Sequence, residues 1–122
     1  MWPCPSSTRI SSDYGPRTAP TSGASSNHKG IDISASHGAP IVAAQNGTVA
    51  VAATSPTAGN YVMIDHGAGL YTVYMHCSGF AVSAGQDVIR GDTIAYVGST
   101  GVSTGNHLHF AVSVNGEYTN PW

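Results

Sequence analysis

An all-β domain, folded as a sandwich or partly closed barrel, is what this sequence predicts, and three observations predict it. Short runs rich in β-branched and aromatic residues recur along the chain, each bounded by Gly, Asn, Asp or Pro. No stretch carries a helical period of useful length. The composition is rich in Gly, Ser, Thr, Ala and Val and poor in Lys and Glu, which suits pleated, half-buried surfaces joined by tight turns.

In chain order, residues 1–27 read as an irregular arm and groove loop packed on the domain. They are dense in Pro, Ser, Thr and Gly, with a short strand near Thr8–Ile10. Residues 28–122 form the core of what is expected to be a single domain, since 122 residues bury one core and not two. Strands are predicted at Ile31–Ile33, Pro40–Ala43, Gly47–Ala53, Tyr61–Asp65, Leu70–His76, Val88, Thr93–Val97 and Leu108–Val114. Asp65-His66-Gly67-Ala68-Gly69, Asn46-Gly47 and Asn115-Gly116 are the hairpin turn signals.

Charged residues make up 8% of the chain and the net charge is −2, too little positive charge to neutralise phosphates or hold an anionic surface. Neither nucleic acid nor membrane is an expected partner, and a monomer is the expected state. No window approaches a membrane span, and any signal or upstream domain is expected to lie outside these residues. Cys4 and Cys77 lack the spacing of a thiolate metal knuckle. A disulfide between them is expected, worth about 4 kcal/mol in the chain-entropy account.

The chemistry concentrates in His107-Leu108-His109-Phe110 and His28-Lys29-Gly30-Ile31-Asp32. In a strand, side chains at i and i+2 share a face about 6–7 Å apart, so His107 and His109 enter one space. His28 and Asp32 would lie about 13 Å apart in a straight strand, so the backbone must turn at Lys29-Gly30, or the pair must be helical, for both to meet one ion. Three N/O donors with a fourth position for water describe a catalytic zinc, whereas structural zincs are closed by four protein ligands. Spacing leaves two ligand sets open: His28 with Asp32 and one histidine of the pair, or all three histidines with Asp32 behind them. Of the other histidines, His37 reads as a solvated loop residue and His66 as part of a turn. His76 ends a strand, a place from which side chains reach a functional rim.

These motifs, with Tyr74-Met75-His76, Gly98-Ser99-Thr100-Gly101 and Ser103-Thr104-Gly105-Asn106 leading into the His107-Leu108-His109 run, resemble the lysostaphin-type, or LytM-like, zinc metallopeptidases of bacterial cell walls. Supporting matches are Gly38-Ala39-Pro40-Ile41-Val42-Ala43, Asn46-Gly47-Thr48-Val49 and Gly85-Gln86-Asp87-Val88 with Gly91-Asp92-Thr93-Ile94. The resemblance implies a barrel-sandwich hybrid whose antiparallel sheet forms an open groove. It implies one Zn2+ held by His28, Asp32 and His109, with His76 and His107 catalytic beside the fourth position.

The function implied is endopeptidase cleavage in the stem or cross-bridge of peptidoglycan, outside the cell or in its wall, by a secreted, bacteriolytic enzyme. On that reading His107 takes a proton from the attacking water and His76 donates to the oxyanion, or the two exchange roles. Thr18-Asn27, Ala53-Asn60 and Thr100-Asn106 are expected to wall the groove, with Tyr14 the nearest tyrosine to it. The alternatives are a non-catalytic wall-binding or hydrolase-activating module of the same fold, and a zinc hydrolase of a lactam or ester. Intact ligand positions favour the peptidase.

Overall fold

Alternation of apolar and polar residues writes most of the strands, because successive side chains of a strand face opposite sides. The structure, a computed structural model, describes residues 2–12, 15–16, 27–28, 30–101 and 105–119, without the side chains of Ser12, Gly15, Pro16, Asn27 and His28. The strands are β1 (Ile10–Ser12), β2 (Gly15–Pro16), β3 (Asn27–His28), β4 (Ile31–Ser34), β5 (Pro40–Val42), β6 (Gly47–Ser55) and β7 (Gly59–Asp65). They continue as β8 (Leu70–Cys77), β9 (Gly79–Phe80), β10 (Asp87–Val88), β11 (Thr93–Tyr96), β12 (His107–Val114) and β13 (Glu117–Thr119). Among the described residues there is no helix.

All pairings are antiparallel. The main sheet runs β1-β4-β12-β8-β7-β6-β10, with β13 beside the second half of β12, and its two ends do not pair. The sheet is therefore open rather than closed into a barrel. A three-stranded sheet, β5-β11-β9, covers one of its faces, and β2 pairs β3 separately. The Asp65–Gly69 and Asn115-Gly116 turns close β7–β8 and β12–β13 as the sequence signals. Asn46-Gly47 does not make a hairpin, because β5 and β6 belong to different sheets and the turn carries the chain from one to the other.

The core lies between the sheets. Ile31 and Ile33 of β4, Val62 and Ile64 of β7, Tyr74 of β8, and Leu108 and Phe110 of β12 meet Ile41, Ile94, Ala95 and Val97 from the covering layer. Each residue between these on β4 and β12 points the other way, into the open face. A polar chain crosses the core without an orphan. The Ala44 N–H donates to the Tyr74 hydroxyl, which sits 2.7 Å from Thr72 Oγ1, itself 2.7 Å from His66 Nε2. His66 Nδ1 lies 2.8 Å from the Asn46 carbonyl. His66 is thus structural, as its turn position suggests.

The expected disulfide is not formed. Cys4 and Cys77 are both free and buried; Cys4 Sγ lies 3.8 Å from Ser6 Oγ, and the Cys77 thiol donates to the Tyr74 carbonyl at 3.7 Å. Each sulfur has its own partner in a core that packs without a cross-link.

Burial pushes the Tyr74 phenol up to about 12 and the Cys77 thiol up to about 12. Both folded values lie above the unfolded ones, so this stability is complete below about pH 8.5 and is lost as the pH rises toward 12. Unfolding free energy is expected to fall by several kcal/mol, on the order of 3 for Tyr74, between about pH 9 and 12. Urea titrations at stepped pH check this, and a flat profile to pH 12 would contradict it. Tyr74→Phe is expected to flatten the part above about pH 10.

Candidate metal centre and active site

Two adjacent strands bring Asp32 of one motif and His107 and His109 of the other onto the open face. β12 pairs β4 with Leu108 opposite Ile33, His109 opposite Asp32 and His107 opposite Ser34. Directly opposed residues share a face. Since Ile31, Ile33, Leu108 and Phe110 face the core, Asp32, His107 and His109 face outward together. His109 Nδ1 lies 3.0 Å from Asp32 Oδ1, and His107 Nε2 lies 3.6 Å from the same oxygen. Asp32 is only 8% exposed, a carboxylate held inside the floor of the face rather than on a loop.

Gly30 makes this approach possible, though not through an unusual backbone angle. A Cβ at this buried position would collide with the Phe110 carbonyl oxygen and lie 3.0 Å from His109 Nε2. The HxxxD spacing therefore needs glycine so that the strand entering Asp32 can press against the histidine strand. The backbone of His28 lies in β3, opposite Gly15. Its side chain lies outside the described residues, as do Tyr14 and nearly all of the Thr18-Asn27 wall.

His76 joins the cluster by a different route. On β8, Tyr74 opposes Phe110 and Met75 opposes His109, so simple alternation would send His76 to the core side with Tyr74. The pairing of β7 with β8 slips between Asn60 and Val62, which oppose Cys77 and Tyr74, leaving one extra residue on β8. His76 sits in that bulge with φ at +64°. A left-handed residue at a bulge re-aims its side chain, here at a strain of about 1–3 kcal/mol for a non-glycine. The His76 ring lies 4.9 Å from that of His107 and 6.2 Å from that of His109, centroid to centroid.

Both histidines that flank the Asp32–His109 pair are anchored through Nδ1. His76 Nδ1 is 2.6 Å from the Thr100 carbonyl and His107 Nδ1 is 2.8 Å from the Gly105 carbonyl. A carbonyl only accepts, so each Nδ1 carries the proton and each Nε2 is the acceptor of the neutral ring. Burial is the main cause that pushes the His76 imidazole down to about 4, against the Thr100 hydrogen bond, which favours the charged form.

Two of the expected donors, Asp32 and His109, stand where a zinc-sized ion could meet both, and among the described residues no group of three His, Cys, Asp or Glu side chains is arranged to hold a metal. Tetrahedral zinc with N/O bonds near 2.0–2.2 Å separates its ligands by about 3.4 Å, and the 3.0 Å between Asp32 Oδ1 and His109 Nδ1 lies close to that. The elements are mixed imidazole and carboxylate without thiolate, the pattern of a centre that leaves a position open. His37 stands exposed in the loop before β5, apart from this chemistry.

Comparison with known proteins points to one family. A match to peptidase family M23 spans residues 26–121. The chain is 39% identical over 120 residues to the peptidoglycan DD-endopeptidase ShyA of Vibrio cholerae, covering 98% of this chain and 28% of that protein. A zinc-containing peptidase from Vibrio cholerae superposes with a TM-score of 0.88 at 36% identity, over 98% of this chain and 37% of that one. The catalytic domain of the antimicrobial peptidase lysostaphin from Staphylococcus simulans gives 0.84 at 31% identity, over 93% of this chain and 88% of that domain. The chain spans about a quarter of the length of the curated relatives it matches.

Proposed function

The chain belongs to peptidase family M23, and from that premise we propose that it is a zinc-dependent endopeptidase of peptidoglycan, cutting in the stem or cross-bridge peptide. The observation that carries this is the gathering of Asp32, His109, His107 and His76 on one open sheet face, with Asp32 and His109 in contact. His28, Asp32 and His109 would hold the ion. Bound there, zinc supplies Lewis acidity toward the scissile carbonyl and lowers the pKa of water toward about 7.

The remaining steps fall to the chain itself. His107 Nε2 takes the proton of the attacking water, because this ring is less buried than that of His76. Gly105, through its carbonyl, stabilises the imidazolium at Nδ1. His76 stays neutral and accepts a hydrogen bond from that water at Nε2, aiming it at the carbonyl. Oxyanion donation from His76, or from His107 with the roles exchanged, is the alternative expected from sequence, and from His76 it would need an Nε2–H. His107 then returns the proton to the leaving amine.

The Ala58 and Thr100 carbonyls hold His76 on this face. An extended peptide of small residues is the substrate proposed for it. Action in the cell wall or periplasm follows from the substrate, with one ion per chain and a monomer as the working state.

Digestion of purified peptidoglycan by the zinc-loaded protein tests the reading. New peptide amino termini, resolved by mass spectrometry, are expected. Intact peptides at stoichiometric zinc would overturn it in favour of a wall-binding module.

A further inference from the structure

We infer that Thr100 is the positioning residue for His76, acting through its carbonyl and its hydroxyl together; the inference rests on the peptidase reading above. His76 is held in a strained left-handed bulge that its own strand does not explain. Three contacts from outside β8 hold it. Its backbone N–H donates to the Ala58 carbonyl at 2.8 Å, its Nδ1–H donates to the Thr100 carbonyl at 2.6 Å, and the next residue is gripped by Thr100 Oγ1.

That hydroxyl has a defined place in the chain of bonds. It donates to the Cys77 carbonyl at 2.8 Å and accepts the Asn60 backbone N–H at 3.0 Å. Asn60 Nδ2 donates to the same Cys77 carbonyl at 3.0 Å, and its Oδ1 receives the Thr54 hydroxyl at 2.7 Å. Thr100 is thus tied to the β6–β7 hairpin on one side and to the His76 ring and the Cys77 carbonyl on the other. Gly59 leaves the room for it, since a Cβ there would collide with both Thr100 oxygens.

Each half of this arrangement has a chemical consequence. The carbonyl commits Nδ1 as the protonated nitrogen and so presents Nε2 as acceptor toward the open face. The hydroxyl fixes where that carbonyl stands. Without it the loop retains the carbonyl but loses its ties to Asn60 and Cys77, and the imidazole loses its direction. Thr100 touches neither the donor pair of Asp32 and His109 nor the space before it, so its loss acts on turnover and not on metal retention.

The test uses the zinc-loaded full chain, with nitrogen-15 histidine spectra to read tautomers and a soluble cross-linked muropeptide to read kinetics. In the wild type His76 is expected as the Nδ1–H tautomer at neutral pH. In Thr100→Val, kcat is expected to drop about 10–100-fold with KM within about twofold, zinc content unchanged, and His76 no longer in one tautomer. Thr100→Ser, which keeps the hydroxyl, is expected to stay within about threefold of the wild type. An Nε2–H tautomer of His76 in the wild type overturns the inference, whether or not the valine variant folds. So does a valine variant that keeps wild-type kcat, or one that loses zinc along with activity. If the wild type cleaves no muropeptide, the peptidase reading falls, and the wild-type and valine tautomers alone decide the role of Thr100.

Discussion

His109→Ala is expected to release the metal and lower peptidoglycan cleavage to below about one thousandth of the wild-type rate, the equivalent of roughly 4 kcal/mol of transition-state stabilisation. His109 sits outward on β12 opposite Asp32, with Nδ1 3.0 Å from Oδ1. Its loss leaves two proposed donors, fewer than the three protein ligands of catalytic zinc sites. It also removes the imidazole that stands 3.0 Å from the buried Asp32 carboxylate. Metal content by atomic absorption and fragment analysis by mass spectrometry read the two effects separately. Full zinc occupancy with undiminished turnover in this variant would remove His109 from the site. His37→Ala, an exposed loop change, serves as the matched control and is expected to keep metal and activity.

Gly30→Ala is the smallest change expected to disable the protein. The added methyl would meet the Phe110 carbonyl, which is backbone and has no rotamer by which to move aside. β4 must shift away from β12, at about 1–3 kcal/mol for an overpacked site. The shift falls on the strand pair that sets the Asp32 to His109 distance. A displacement near 1 Å at such a centre costs about 100-fold in rate. Thermal unfolding and turnover together check this. A variant with unchanged melting and rate would show that the close approach of the two strands is not needed.

The all-β class, the main strands and two of three hairpin turns were legible because period-2 alternation and turn residues are local signals. Ile31 and Ile33 about Asp32, and Leu108 and Phe110 about His109, place apolar residues inward and functional ones outward with no knowledge of the partner strand. Gly30 was legible as a special position: the chain bends there before β4, and the structure adds a second need, room for the backbone of Phe110. The Cys4–Cys77 bridge was misread because cysteine count and compartment are statistical, while pairing depends on where each sulfur packs. Asn46-Gly47 carried a true turn signal, yet whether a turn joins neighbours or changes sheets is settled by pairings far along the chain.

Local chemistry thus suffices for the faces of β4 and β12, since alternation acts within a few residues. It does not suffice for His76. The pattern that sends Tyr74 inward would send His76 with it, and the reversal comes from a one-residue slip between β7 and β8. The Thr100 carbonyl, 24 residues further on, and the hairpin carbonyl of Ala58 hold the resulting left-handed backbone. Such strain is stable only when distant segments over-determine it, so it arises from the assembled fold and leaves no local mark in the chain.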